Sequence, residues 1–186
     1  LEANPSATYR DVEHIIVHSS RVNDASDSSW NTNGAGHDVS HKYGFGVIDA
    51  NAAVAVAETW TNVGPEINYQ SGLIDIPDRQ IPDNSAPGIT ESTQVPESIR
   101  VEHVEVIVDI DHSYRGDLEI ILTSPAGTQS VLSEKHEDSG NDWNNWMFTS
   151  VHHWDEDSYG EWTLSIEDQG NGDSGTFLDW ELNIYG

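Results

Sequence analysis

Aspartates placed two apart in a strand-like run, or grouped in glycine-rich loops, are the residues whose type and spacing suit the binding of an ion. Asp109 and Asp111 flank Ile110, so in extended chain both carboxylates leave the same face and can approach one cation. Asp168, Asn171 and Asp173 share one loop, and Glu137, Asp138, Asn141 and Asp142 share another. Calcium takes about six to eight oxygens from flexible loops. The candidate ligands are Asp109, Asp111, Asp117, Asp142, Asp168 and Asp173, with calcium in a structural role. None fits the EF-hand spacing, and turn capping with surface solvation is the competing account of the same residues.

Other chemistry-bearing residues have simpler readings. Arg115-Gly116-Asp117 spells an integrin-type tripeptide, but Gly116 suits a turn and Asp117 opens a run whose next residues are core. His136, His152 and His153 suit a metal or a pH response less well than packing, because adjacent histidines in a strand point to opposite faces. Trp143, Trp146, Trp154, Trp162 and Trp180 suggest a sugar platform, yet Trp162 and Trp180 fall on inward positions and read as core. Trp143 and Tyr159 are candidates for contact with a neighbouring domain. Ser19 and Ser20 follow His18 at the end of a helical pattern, without a strained nucleophile turn.

The elements that must position these residues fall in two parts. Before residue 62, Thr8 and Asp11 form an N-terminal cap signal, with Val12, Ile15 and Ile16 at helical spacing and Ser19 and Ser20 closing the run. Asp49 caps an alanine-rich helix, Ala50 to Trp60, with Ala53, Val54, Ala57 and Trp60 on one face. A loop from Asn23 to Gly36 joins them, and two helices do not bury enough surface to stand alone. They must dock on something else.

From residue 63 the period changes to two. Val104, Val106, Val108 and Ile110, then Leu118, Ile120 and Leu122, then Trp162, Leu164 and Ile166, then Leu178, Trp180, Leu182 and Ile184 alternate with polar residues. Ser124 to Gly127 and Gly170 to Asp173 mark turns, and four prolines between Pro77 and Pro96 predict a loop or irregular edge there. A mainly β fold follows, a jelly-roll β-sandwich over 63–186 preceded by a two-helix segment over 1–62.

Acidic residues number 33 against 7 basic ones, for a formal charge of −26. Such a chain repels phosphate backbones and anionic headgroups, so neither nucleic acid nor a membrane is expected as a partner. Solvation in salt, calcium binding and attraction of a basic polypeptide remain open as reasons for the acidity. There are no cysteines, which excludes disulfides and thiolate metal sites. No apolar stretch approaches the ~20 residues of a bilayer span, and no leader pattern opens the chain. The expectation is a soluble, processed chain whose first residues continue something longer.

The residues also carry a family likeness. Ser40-His41-Lys42-Tyr43-Gly44-Phe45-Gly46-Val47-Ile48-Asp49-Ala50, running on to Trp60, resembles the end of the catalytic domain in kexin- and furin-like subtilisin-family serine proteases. Asn4 to Thr8 and the following helix resemble the segment just past the catalytic serine's helix. Tyr114 to Leu118, Leu122 to Thr128, Trp146 to Leu164 and Gly175 to Gly186 resemble the P domain, or Homo B, of the same enzymes. The resemblance implies a secreted serine endopeptidase of which this is the C-terminal portion. Its P domain would stabilise a subtilisin-like catalytic domain, present in the same polypeptide or as a nicked partner chain. The Asp, His and Ser of that chemistry, and the Gly-Thr pair before the Ser, are not here, so no catalytic residue is assigned and this stretch alone is expected to be inactive. The alternative is an independent calcium-dependent module binding carbohydrate or protein, against which the 1–62 segment argues.

Overall fold

The computed structural model describes residues 2–186. The chain forms two compact units, one ending at Glu66 and one spanning Ile67–Gly186. That division lies four residues past the composition change. The reason is local: Asp11 Oδ1 accepts the Val63 N–H at 2.7 Å, and the Arg10 guanidinium donates to the Gly64 carbonyl at 2.7 Å.

In the first unit, helix α1 spans Tyr9–Ser19 with Thr8 as N-cap in a capping box with Asp11. The segment expected as a plain loop, Asn23 to Gly36, includes strand β1 (Trp30–Thr32), which pairs with β2 (Asp38–Ser40) just beyond it. Helix α2 spans Ala50–Thr59, capped by Asp49, whose carboxylate accepts from the N–H groups of Asn51 and Ala52. The Tyr43-Gly44-Phe45-Gly46 stretch has a backbone reason for its second glycine. Gly46 adopts φ +100° and a Cβ there would lie 2.3 Å from the Arg21 carbonyl oxygen, where Arg21 and Val47 form a bridge.

The second unit is an antiparallel sandwich. Its strands are β3 (Asn68–Gln70), β4 (Ile74–Ile81), β5 (Ile89–Val95), β6 (His103–Asp111), β7 (Leu118–Thr123), β8 (Gln129–Ser133), β9 (Trp143–Ser150), β10 (Gly160–Asp168) and β11 (Gly175–Tyr185). One sheet runs β5-β10-β7-β8 and the other β3-β11-β6-β9, with β4 sharing the β3 edge of β11. Counting β4 to β11 as eight strands, this is the interleaved order of a jelly roll.

The two inner faces are the alternating residues expected. Val104, Val106, Val108 and Ile110 of β6 meet Leu118, Ile120 and Leu122 of β7 and Trp162, Leu164 and Ile166 of β10 in one fully buried cluster. Each such side chain contributes about 1.5–3 kcal/mol of burial. On β11 the inward set is Phe177, Trp180, Leu182 and Ile184 rather than one beginning at Leu178. A bulge between Phe177 and Asp179 shifts the register, so the alternation skips Leu178. The proline-rich stretch, expected as a loop or irregular edge, includes edge strands. Pro77 lies within β4, an edge strand beside that bulge, and β5 is fully paired with β10. Proline is tolerated there because an edge strand needs fewer of its N–H groups.

Candidate functional site

The first unit turns its helices in an unusual sense. On α1 the buried residues are Arg10, Asp11, His14, Ile15 and Ser19, while Val12 and Ile16 are only half-buried and Tyr9 is exposed. Asp11 explains the inward polar face. Its Oδ2 accepts from the Thr8 amide at 2.7 Å and hydroxyl at 2.6 Å, and its Oδ1 from Val63 N–H and the Trp60 indole. Burial works against the charge, but the bonds from Thr8, Val63 and Trp60 outweigh it and hold the carboxyl well below the usual carboxylate range. His14 stacks on Trp60 at 5.7 Å.

The apolar residues of the two helices then face an open groove of about 470 Å³ lined by Ala7, Val12, Ile15, Ile16, Ala53, Val54 and Ala57 among others. Val54 is 51% exposed. Among the described residues of this unit only Ile15, Val39 and Ala57 are buried apolar side chains. A unit of this size with so small a core has an unfinished apolar face.

In the second unit the six candidate aspartates do not converge. Asp109 sits on the outer face of its sheet, in a row with Asp179 and Asp75 across β6, β11 and β4. Asp117 closes a 3-10 turn, Arg115–Asp117, with Lys135 Nζ 3.8 Å from its carboxylate. Asp168 is fully buried, accepting from the Gly170 N–H at 2.8 Å and facing His112 Nε2 at 3.3 Å. Asp111 and Asp142 do share a polar groove of about 450 Å³, with His112, Ser113, Asn141 and Ser174. Asp142 accepts from the His112 N–H at 2.9 Å, and Asp173 joins indirectly by accepting the Ser113 hydroxyl at 2.6 Å. Among the described residues no three of the six bring carboxylate oxygens within 4.8 Å of one another. The groove offers oxygens from Asp111, Asn141 and Asp142 for a cation.

The tripeptide at 115–117 is structural. Arg115 donates to Asp138 at 2.9 Å and lies over the Trp143 ring, and a Cβ on Gly116 would lie 2.5 Å from the carbonyl oxygens of Asp138 and His136. Asp138 is held below the usual carboxylate range by the Gly140 N–H and then by Arg115. Of the tryptophans, Trp143, Trp154, Trp162 and Trp180 are buried and Trp146 is 46% exposed.

His152 and His153 do not lie in a strand as expected. They occupy the turn after β9, where the His152 ring meets the Ser130 hydroxyl at 2.9 Å. His153 is fully buried against the edge of Trp162, its Nδ1 3.8 Å from Glu156 Oε2. Glu156, which composition and spacing do not single out, is itself buried and accepts hydroxyl bonds from Ser124 and Thr128. One carboxylate thereby ties the 151–156 turn to the β7–β8 hairpin. A lone acidic residue between two loops leaves no periodic signal, and neither does the buried His112–Asp168 pair.

Residues 101–184 match the model of the proprotein convertase P-domain. Those residues belong to that family. Along its whole length the chain is similar to Furin-1 of Xenopus laevis, 38% identical over 200 residues, and to Proprotein convertase subtilisin/kexin type 4 of Mus musculus, 38% identical over 193. It spans 24% and 30% of those relatives, so about a quarter of their length. Among solved structures, the serine protease of Aeromonas sobria shares the fold at a TM-score of 0.89 and 22% identity, over 99% of this chain and 41% of that one. The same protease in complex with a chaperone gives 0.91 and 23%. The matched residues lie within the 67–186 sandwich, and the similarity to the relatives extends through the two-helix unit before it. Among the described residues no helix is long and apolar enough to cross a membrane.

Proposed function

We propose that this chain is the C-terminal portion of a secreted serine endopeptidase of the kexin type, in which the P domain and the two-helix unit stabilise a subtilisin-like catalytic part. The observation that carries the reading is the open groove on α1 and α2, whose Val12, Ile16, Ala53 and Val54 lack the cover that a folded domain gives its apolar residues. Furin-like relatives about four times longer are consistent with a catalytic part that supplies it. The nucleophile, base and orienting carboxylate belong to that part, and the residues described here bind and position rather than react. The test is made in the complete polypeptide. Ile16→Asp and Val54→Asp, which place charges in the groove, should abolish secreted peptidase activity and soluble yield together. Full activity with both changes present would overturn the reading.

Calcium belongs to the same proposal in a narrower form. Asp111, Asn141 and Asp142 are the residues that would hold the ion, closing their groove around it. Calcium should raise the unfolding midpoint of the 186-residue chain by several degrees over chelator at matched ionic strength. The combined Asp111→Asn and Asp142→Asn change should remove that rise. An unchanged midpoint with calcium would leave the carboxylates as solvating groups.

A further inference from the structure

We propose that the free edge of β9 takes up an extended polypeptide segment as an added strand, one that alternates basic and apolar side chains. Among the described residues strand β9 pairs with β6 alone, so its other side presents unpaired N–H and C=O groups. The remaining edges of the sandwich are blunted. β3 has three residues and β8 five, β4 carries Pro77 with Asp75, Asp78 and Arg79, and β5 is bridged by Glu91 to Arg79 at 3.4 Å. Short length, proline and charge are the usual guards against edge pairing. The eight residues Trp143–Ser150 have neither a charge nor a proline. A register shift and Asn145 at φ +46° disturb their start, leaving Trp146–Ser150 in continuous register with Val104–Val108.

The two sides of that run specify the occupant. Trp146 and Phe148 stand opposite Val108 and Val106, on the core side, and with Trp143 form an aromatic shelf with ring centroids 5.1–6.4 Å apart. Trp146 is nonetheless 46% exposed at the rim. On the outer side, Met147 is 49% exposed beside Ile107, with Glu105, Asp109 and Glu181 on the same face of β6 and β11. Strands β6, β9 and β11 contain no Lys or Arg. An added strand would lie about 5 Å beyond β9 and about 10 Å from β6, which is within reach of a lysine or arginine head. Its alternate residues would rest apolar groups on Trp146 and Phe148 and cationic groups toward Glu105 and Asp109. An acidic segment would be repelled by this face.

The test uses the 186-residue chain and fluorescent peptides of about eight residues, the length of an ordinary strand. One peptide alternates Lys and Val, one has the same composition in two blocks, and one alternates Glu and Val. The alternating Lys–Val peptide should bind at least about tenfold more tightly than the block peptide, and the Glu–Val peptide should not bind. Met147→Lys should weaken binding by about tenfold. Hydrogen exchange on the unsubstituted chain, which does not depend on that variant folding, should show amides within 146–150 gaining protection when the peptide is added. Equal binding of the block peptide would reduce the effect to diffuse charge attraction and overturn the proposal, as would no gain in protection. Self-association of the chain that Met147→Lys abolishes would show a second copy as the occupant and overturn it as well.

Discussion

The Trp60 indole donates to Asp11 Oδ1 at 2.9 Å, joining the end of α2 to the first turn of α1 across 49 residues. The same oxygen accepts the Val63 N–H, and the other takes both Thr8 donors, so Asp11 faces donors only. Asparagine would turn an amide N–H toward one of those pairs. Asp11→Asn should therefore destabilise the two-helix unit by about 2 kcal/mol, read as a lower unfolding midpoint in helical circular dichroism. The pH dependence has a definite sign. Because the folded carboxyl titrates below the unfolded one, its stabilisation is present above the ordinary value near 3.8 and is lost as pH falls below it. The substituted chain should show a flatter profile there, and an unchanged acid limb would contradict this role.

Asp179 behaves in the opposite way. Burial, then Asp109, Asp75 and Glu181, raise its pKa, so its ionisation works against the fold. A carboxyl raised in the folded state favours folding at low pH and loses that advantage as pH rises through its folded value. Asp179→Asn should thus stabilise the P domain at pH 7 by about 0.5–1 kcal/mol, since like charges stand directly opposite across the strands. The gain should shrink with added salt and vanish near pH 3. A loss of stability at pH 7 would show that the aspartate row has a partner that asparagine cannot serve.

Much of this architecture is legible in the residues. Val104 to Ile110 alternate without interruption because β6 lies inside its sheet with one face wholly buried, and Thr8, Asp11 and Asp49 mark the helix starts by their side-chain chemistry. Leu178 misleads because a bulge changes the period without changing composition, whereas Pro77 marks an irregular edge, because an edge strand tolerates what a central strand does not. The inward polar face of α1 is hidden for a different reason: the spacing of Val12, Ile15 and Ile16 reports an apolar stripe but not whether that stripe is covered. For the aspartates, sequence proximity to a strand end does not determine a shared centre. Asp111 and Asp142 meet through pairing of distant segments, whereas Asp109 and Asp168 are drawn to an outer sheet face and a buried histidine.

Glu156 and His153 give a contrast between two buried polar residues. Glu156→Ala would leave the Ser124 and Thr128 hydroxyls without their acceptor and should cost about 2–4 kcal/mol in urea unfolding, with Glu156→Gln losing less. Neither ring nitrogen of His153 has a hydrogen-bond partner. His153→Leu, which removes those atoms while keeping contact with Trp162, should leave the midpoint unchanged or raise it. A fall comparable to that of Glu156→Ala would mean the imidazole acts as the carboxylate's counterion.

Gly116 tests the structural account of the tripeptide. A methyl group there would meet two backbone carbonyls that no side-chain rotation can move. Gly116→Ala should destabilise the P domain by about 3 kcal/mol or more, while Asp117→Asn should cost under about 1 kcal/mol, its Lys135 contact being partly exposed. Comparable losses from both would place the constraint in the Lys135 contact rather than in the turn backbone.

The proposed function requires that another part of the polypeptide cover the apolar face of α1 and α2. Amide hydrogen exchange measures this directly in the 186-residue chain and in the complete polypeptide. In the isolated chain, amides of Ile15, Ile16 and Val54 should exchange far faster than those of Val106 and Leu164 in the sandwich core, and in the complete polypeptide they should slow to comparable rates. Helix amides already as slow as those of β6 and β10 in the isolated chain would contradict the claim, because the two-helix unit would then need no partner.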